Sequence, residues 1–431
     1  MSEVKIPEGY KQTEVGVIPE DWEVTTIGDF SPLQRGFDLP TTQVEAGEYP
    51  VVYSNGILRT HKAFQVNGAG IVTGRSGTIG KVHYVERDFW PHNTTLWVTS
   101  FGNSNVKFVY YLFNSIGFER FKSGSGVPTL NRNDAHSFKI VVPSEVKEQT
   151  AIATALSDVD DLIGSLEKLI AKKEAIKTAT MQQLLTGKTR LPEFATHDDG
   201  NAKGFKQTEL GRIPEDWELL SVREVCDLLT GFPFPSSKYQ ESGIRLLRGS
   251  NVKRGNTDWS DNITKFWAEP TNGIEQYFLQ EADIVVSMDG SLVGRSFAQL
   301  SSSDLPALLL QRVARLRTSL VSQNYLKEWV CSPIFSDYCD SVKTVTAIPH
   351  ISPADILNFR LFIPNSKAEQ TAITTILSDM DSEIQALQKR LKKTRDIKQG
   401  MMQQLLTGKV RLLSSDSSST HPSADNGDCL A

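Results

Sequence analysis

Apolar positions along this chain follow two different periods. Between residues 156 and 170 they fall at Leu156, Val159, Ile163, Leu166 and Ile170, an alternating three–four spacing that keeps one seam along a helix. The spacing returns at Leu377, Met380, Ile384, Leu387 and Leu391. Two long amphipathic helices are predicted, the first over 145–186, about 42 residues or roughly 63 Å. Ser366 with Glu369 reads as a capping box, Ser144 as an N-cap, and Gly187 and Gly408 as helix stops. Elsewhere the pattern shortens to alternating or β-branched runs broken by glycine, as in GAGIVTGRSGTIGKVHYV (68–85) and EADIVVSMDGSLVGRSFAQL (281–300). Short helical stretches follow at 106–121 and 323–339. The fold class this predicts is α+β.

The chain repeats itself. Residues 9–24 and 204–219 share 12 of 16 positions, and residues 148–191 and 369–412 share 26 of 44. Each half is a short tag, a variable block (25–147 or 220–368) and a well-matched helical tail. Two copies are too few for a solenoid and suit a pseudo-twofold molecule. Trp22 and Trp217, in the PEDW of each tag, are expected to be packing anchors. Residues 192–203 (PEFATHDDGNAK) read as a polar linker, and 413–431 as a low-complexity, disordered tail.

Charge refines the helix prediction. The helix starts carry Asp158, Asp160 and Asp161, and Asp379, Asp381 and Glu383. The later turns carry Lys168, Lys172, Lys173 and Lys177, and Lys389, Arg390, Lys392, Lys393 and Arg395. Such helices attract one another when antiparallel, as an antiparallel coiled coil; the bland alternatives are helices packed on their own domains and a solvated charged face. The net charge of the 431 residues is −5, but the acidity sits in the tags, linker and end, leaving blocks and helices at +6. That is compatible with phosphate contacts and weak as proof. The length suggests two or three domains. There is no run of 18 apolar residues and no apolar stretch at the start, so no membrane segment or signal peptide is expected. Four scattered cysteines exclude a disulfide framework and favour the cytoplasm.

Catalytic signatures are missing. There is no Asn/Asp/Ser-Pro-Pro-aromatic motif of amino-methyl transfer, no HExxH, no GxSxG and no GxGxxG. The GKT at 187–189 has Gln182 where a phosphate loop needs glycine, and it follows a helix instead of opening one. The seven histidines show no metal spacing; His83 and His92 are expected to be structural or contact residues. No catalytic, cofactor or metal site is expected.

The tag KQTEVGVIPEDWEV, the variable block, then IVVPSEVKEQTAIATALSDVDDLI ending in MQQLLTGKTRL, resemble the specificity subunits of type I restriction–modification systems. The resemblance covers nearly the whole chain. It implies two pseudo-twofold-related target recognition domains separated by two long helices that form an antiparallel coiled coil. The implied boundaries are tag and recognition domain 1–147, helix 148–191, linker 192–203, tag and recognition domain 204–368, helix 369–412 and tail 413–431. It further implies a non-catalytic subunit that reads a bipartite site on double-stranded DNA. Two modification subunits would use S-adenosylmethionine, and restriction subunits would use ATP and Mg²⁺ to translocate and cut. Rival readings are a stand-alone coiled-coil DNA-binding scaffold or repressor, and a nuclease or methyltransferase with an unrecognised site.

The resemblance transfers no base contact, because family members differ most inside these domains. Elementary chemistry favours exposed loops with Arg, Lys, Asn or His, which reach base edges and phosphates. Three pairs of loops qualify. The first is Tyr53, Ser54 and Asn55 with Arg248, Ser250, Asn251, Lys253 and Arg254. The second is Arg75, Ser76 and Lys81 with Asp289 and Arg295. The third is Asn131 and Arg132 with His350, which stands opposite Thr129. The alternative for each is a plain turn with glycine at positive φ.

Overall fold

The computed structural model describes residues 6–123 and 128–412; the expected disordered tail lies outside the described residues. The chain divides into two units, one of residues 1–167 with 389–431 and one of residues 168–388. Each unit therefore holds the start of one long helix and the end of the other. The helices run Val146–Leu185 and Lys367–Leu405, as the three–four spacing predicts.

The helices are antiparallel within each unit. In the first, Lys398 Nζ meets Asp160 and Arg395 Nη2 meets Glu167, both at 2.6 Å. In the second, Lys173 meets Glu383 at 2.7 Å and Lys177 meets Asp381 at 2.5 Å. Residue numbers rise on one helix as they fall on the other, and basic ends face acidic starts. All ten predicted seam residues are buried or half-buried. The first of each set goes further: Leu156 and Leu377 are completely buried in the cores of their units, so the seam also anchors the helix to its domain.

The two units follow one plan. Each opens with a hairpin, Tyr10–Thr13 with Gly16–Pro19 or Phe205–Thr208 with Gly211–Pro214. The strand after it, Trp22–Thr26 or Trp217–Ser221, pairs with the strand that leads into the long helix, Lys139–Pro143 or Arg360–Pro364. Between them lies a four-stranded antiparallel sheet, ordered Leu33–Arg35, Thr95–Val98, Gly70–Gly74, Val82–Val85 in the first unit. Its counterpart is Asp227–Thr230, Val313–Arg317, Ile284–Ser287, Phe297–Gln299. A smaller three-stranded sheet is centred on Tyr49–Tyr53 or Ile244–Leu247, each with one parallel neighbour. The helices Val106–Ile116 and Gln323–Cys331 pack between the larger sheet and the long helix. Their N-terminal turns are fixed alike, since Gln149 Oε1 accepts from Asn105 N and Gln370 Oε1 accepts from Ser322 N.

Helix ends meet tags at a buried cluster. In the first unit Trp22 is 1% exposed, and its indole donates to Glu148 Oε2 at 3.1 Å. Arg411, just past the second long helix, forks onto Glu148 (2.5 and 2.8 Å) and onto Asp21 (2.8 and 2.6 Å). In the second unit Trp217 donates to Glu369, and Arg190 forks onto Glu369 at 2.9 Å through both bonds and reaches Asp216 at 2.7 Å. The glycine stops are required here. Gly187 and Gly408 have φ of +65° and +69°, and a Cβ on either would lie 2.5 or 2.6 Å from Pro214 or Pro19.

Two expectations change. The predicted capping box does not close: Ser366 Oγ accepts from Glu369 N, but the Glu369 carboxylate is bound to Arg190 and Trp217. Ser144 donates its hydroxyl to Asp21 O, tying helix start to tag. The polar linker is docked on its tag, with Lys203 Nζ on Asp216 at 3.0 Å and His197 on Glu215.

Removing Arg411 strands a carboxylate, Glu148, that is 2% exposed. Arg411→Ala should cost about 3 kcal/mol in urea unfolding at pH 7. Arg360→Ala, which breaks an exposed pair with Glu209, should cost about 1 kcal/mol or less. Hydrogen bonds from Arg411 hold Asp21 below the ordinary carboxylate value, against partial desolvation. A depressed carboxylate stabilises above its unfolded value, so the Arg411 effect should be full above about pH 4 and shrink as pH falls further. Equal costs for the two variants at pH 7 would reject the cluster as an anchor.

Candidate nucleic-acid interface

Four loops meet where strand Gly70–Gly74 ends and strand Thr95–Val98 begins. Arg75 is their centre: its N donates to Thr94 O and its O accepts from Leu130 N, both at 2.8 Å. Gly77 N donates to Pro128 O, and Ser76 and Thr129 form a bridge. His92 N donates to Val52 O, which brings in the loop 53–55. The second unit repeats these backbone bonds. Met288 N donates to Arg312 O, Ile351 N to Met288 O, Gly290 N to Pro349 O and Leu310 N to Leu247 O, while Asp289 bridges His350. The bonds align Tyr53 with Arg248, Ser76 with Asp289, Thr94 with Arg312 and Thr129 with His350. The three predicted loop pairs are thus brought together, with a fourth, 92–94 and 310–312, that the sequence reading missed.

The side chains on this common frame differ. In the first unit Tyr53 stacks on His92, with ring centroids 4.3 Å apart, and Arg75 Nη1 donates to Asn93 O at 3.4 Å. Burial lowers the His92 pKa, opposed by a hydrogen bond to the backbone of Leu39 and by Asp38, which favours a neutral ring at pH 7. Asn55 is exposed at the hairpin turn, and Ser54 is buried. In the second unit the loops line an open cleft of about 480 Å³, with Arg248, Ser250, Lys253, Asp289 and Arg312 on its walls. Arg248 donates to Ser250 Oγ at 2.9 Å, and Lys253 lies 3.7 Å from Asp258. His350 is exposed, with Nδ1 2.9 Å from Thr344 Oγ1.

Other predicted site residues are engaged elsewhere. Asn251 is 0% exposed, its Oδ1 accepting from Arg248 N and its Nδ2 donating to Asp258 O, so it shapes the loop. Arg295 forks onto Asp340, which also binds Lys343. Arg254 and Arg295 line a separate cavity of about 290 Å³ beside Cys331. Asn131 caps the helix Arg132–His136 through Asn133 N, leaving Arg132 exposed on its first turn. Lys81 is exposed where the chain re-enters the sheet, and its carbonyl accepts from Thr73.

Residues 19–177 and 214–394 each match the family described as the type I restriction modification DNA specificity domain. The chain belongs to the type I restriction–modification DNA specificity family. Among relatives, the type I restriction enzyme MjaVIII specificity subunit of Methanocaldococcus jannaschii is 28% identical over 426 residues, spanning 94% of this chain and 96% of its own length. The type I restriction enzyme EcoAI specificity subunit of Escherichia coli is 35% identical over 183 residues, 41% of this chain and 30% of its own. The S subunit of the type I restriction–modification system of M. genitalium has this fold, with a TM-score of 0.58 at 16% identity over 93% of this chain and 98% of that one. The two specificity-domain matches coincide with the two copies of the four-loop frame. No described helix is long and apolar enough to cross a membrane.

The side-chain roles are separable by experiment. Asn251→Ala should cost about 2 kcal/mol of stability, since it orphans two part-buried backbone groups, Arg248 N and Asp258 O. Arg295→Ala should cost about 1 kcal/mol and leave any DNA base preference unchanged. A shifted preference in Arg295→Ala would put that arginine back at the interface.

Proposed function

We propose that this chain is the sequence-reading subunit of a cytoplasmic type I restriction–modification complex. Each four-loop frame reads one half of a bipartite site on double-stranded DNA. The carrying observation is one backbone frame built twice with different side chains at its tips: Tyr53, Ser76 and Thr94 against Arg248, Asp289 and Arg312. Backbone bonds fix the loops whatever their side chains, so the two copies can present different donors and acceptors to base edges. Asn55, Arg132, Ser250 and His350 are exposed and Arg75, Arg248 and Lys253 half-buried around the two frames, and these seven are the candidate contacts.

The long helices seat the partners. Leu162, Leu169 and Ile176 recur every seven residues on the first helix and are 39%, 39% and 42% exposed. Such a stripe suits a helix contributed by a modification subunit. Methyl transfer from S-adenosylmethionine belongs to that subunit, and ATP- and Mg²⁺-dependent translocation and cleavage to a restriction subunit. The names of the relatives, all type I specificity subunits, support this division.

Purified chain with S-adenosylmethionine, ATP and Mg²⁺ should be inert and gain methylation only with partner subunits; turnover lost on mutating this chain would overturn the assignment. Replacing residues 25–147 with the corresponding block of a relative should change one half of the methylated motif. Sequencing of methylated bases in cells carrying the chimera reads this directly, and a change in both halves would refute independent reading.

A further inference from the structure

We propose that Arg312 reads a guanine in one half-site and that Asp289 is its positioning residue; the proposal rests on the DNA-reading function above. Arg312 has φ of +69°, one of two non-glycine residues at positive φ among the described residues. That conformation is costly for a side chain with a Cβ and persists only where neighbours impose it. Here they do. Arg312 O accepts from Met288 N at 2.9 Å, and Gln311 N donates to Phe232 O at 3.0 Å.

The side chain is exposed yet oriented. It is 68% exposed, and its Nη1 donates to Asp289 Oδ2 at 3.0 Å. The Asp289 side chain is only 25% exposed, and its backbone is held by the bridge to His350 and by Ser287 Oγ donating to its carbonyl at 3.3 Å. The carboxylate therefore fixes one nitrogen and leaves the Nε–Nη2 edge without a partner among the described residues. That edge is the fork that spans O6 and N7 of guanine. Holding it in advance removes rotamer freedom that binding would otherwise have to freeze.

Other roles fit less well. An exposed ion pair stabilises a fold too little to balance a residue held at positive φ. A phosphate contact would place the DNA backbone beside a carboxylate. The first unit has Ser76 and Thr94 at the equivalent positions, so the device belongs to the second domain and should act on one half-site only.

The test uses the full chain assembled with its modification subunits, scored by methylated-base sequencing and by competition binding with duplexes carrying each base at each position. Arg312→Gly removes the fork while suiting the backbone, so its thermal midpoint should match that of the wild type. Its affinity for the cognate duplex should fall about 10–100-fold, with little loss on duplexes already lacking one particular guanine. The other half-site should be unchanged. Arg312→Met should lose the same preference, because it keeps an unbranched stem without a donor, and Asp289→Asn should weaken it about 3–10-fold at that same position. Equal loss on every sequence, with a shallower salt dependence, would make Arg312 a phosphate contact and overturn the proposal. So would full preference in Arg312→Met, or relaxation at a cytosine in Asp289→Asn alone. A wild-type complex that marks no bipartite site would instead overturn the DNA-reading function itself.

Discussion

A buried glutamate held by a guanidinium fork and an indole N–H ties each unit together. Glu148 and Glu369 are almost completely buried, a position a carboxylate can occupy only with hydrogen-bonded partners and a cation. Arg411 and Arg190 supply both, and Trp22 and Trp217 add a third donor. Each cluster joins three segments far apart in sequence: a tag, the start of one long helix and the end of the other. The helix register, the docking of the tag hairpin and the entry to the variable block all follow from where these side chains must meet. The near-identity of the tags and tails in the two copies has this physical reason.

Between those fixed points the chain varies without losing its frame. The loops carrying the candidate contacts are held by backbone bonds, such as Arg75 N to Thr94 O and Met288 N to Arg312 O, which make no demand on side-chain identity. Tyr53 can become Arg248, and Ser76 can become Asp289, while the main chain keeps its path. A reading module needs that separation, because a new target must be reachable by changing tips alone. Charge is divided in the same way: Asp21 and Asp216 of the tags are paired inside the clusters, whereas Arg75, Arg132, Arg248 and Arg312 stand at the loops.

The candidate interface also shows that a polar or charged loop residue has two possible destinies. Arg248 and Arg312 line the cleft, whereas Arg295 turns to Asp340 and Asn251 folds inward to satisfy the loop that carries it. All four look alike in sequence. Their partners lie two to 45 residues away, and for Arg295 and Arg312 the partner depends on the helix or loop that tertiary packing brings alongside.

The sequence by itself determined the repeat, the two helices and their antiparallel sense, and the pairing of loop with loop. Heptad spacing, charge order and internal identity are properties of the chain read along its length, and burial of Leu156 and Leu377 with the Lys177–Asp381 and Lys398–Asp160 pairs follows from them. It misassigned Glu369 to a capping box, because a capping signature is local and the competing donors, Arg190 and Trp217, come from 179 and 152 residues away. It missed the fourth loop for a related reason. Strands Ala307–Leu309 and Val313–Arg317 are separated where Gln311 N donates to Phe232 O and Arg312 O accepts from Met288 N, and there Arg312 takes a positive φ. Periodicity fixes elements; the partner of a charge and the sign of a backbone angle are decided by atoms that meet only when the chain has folded.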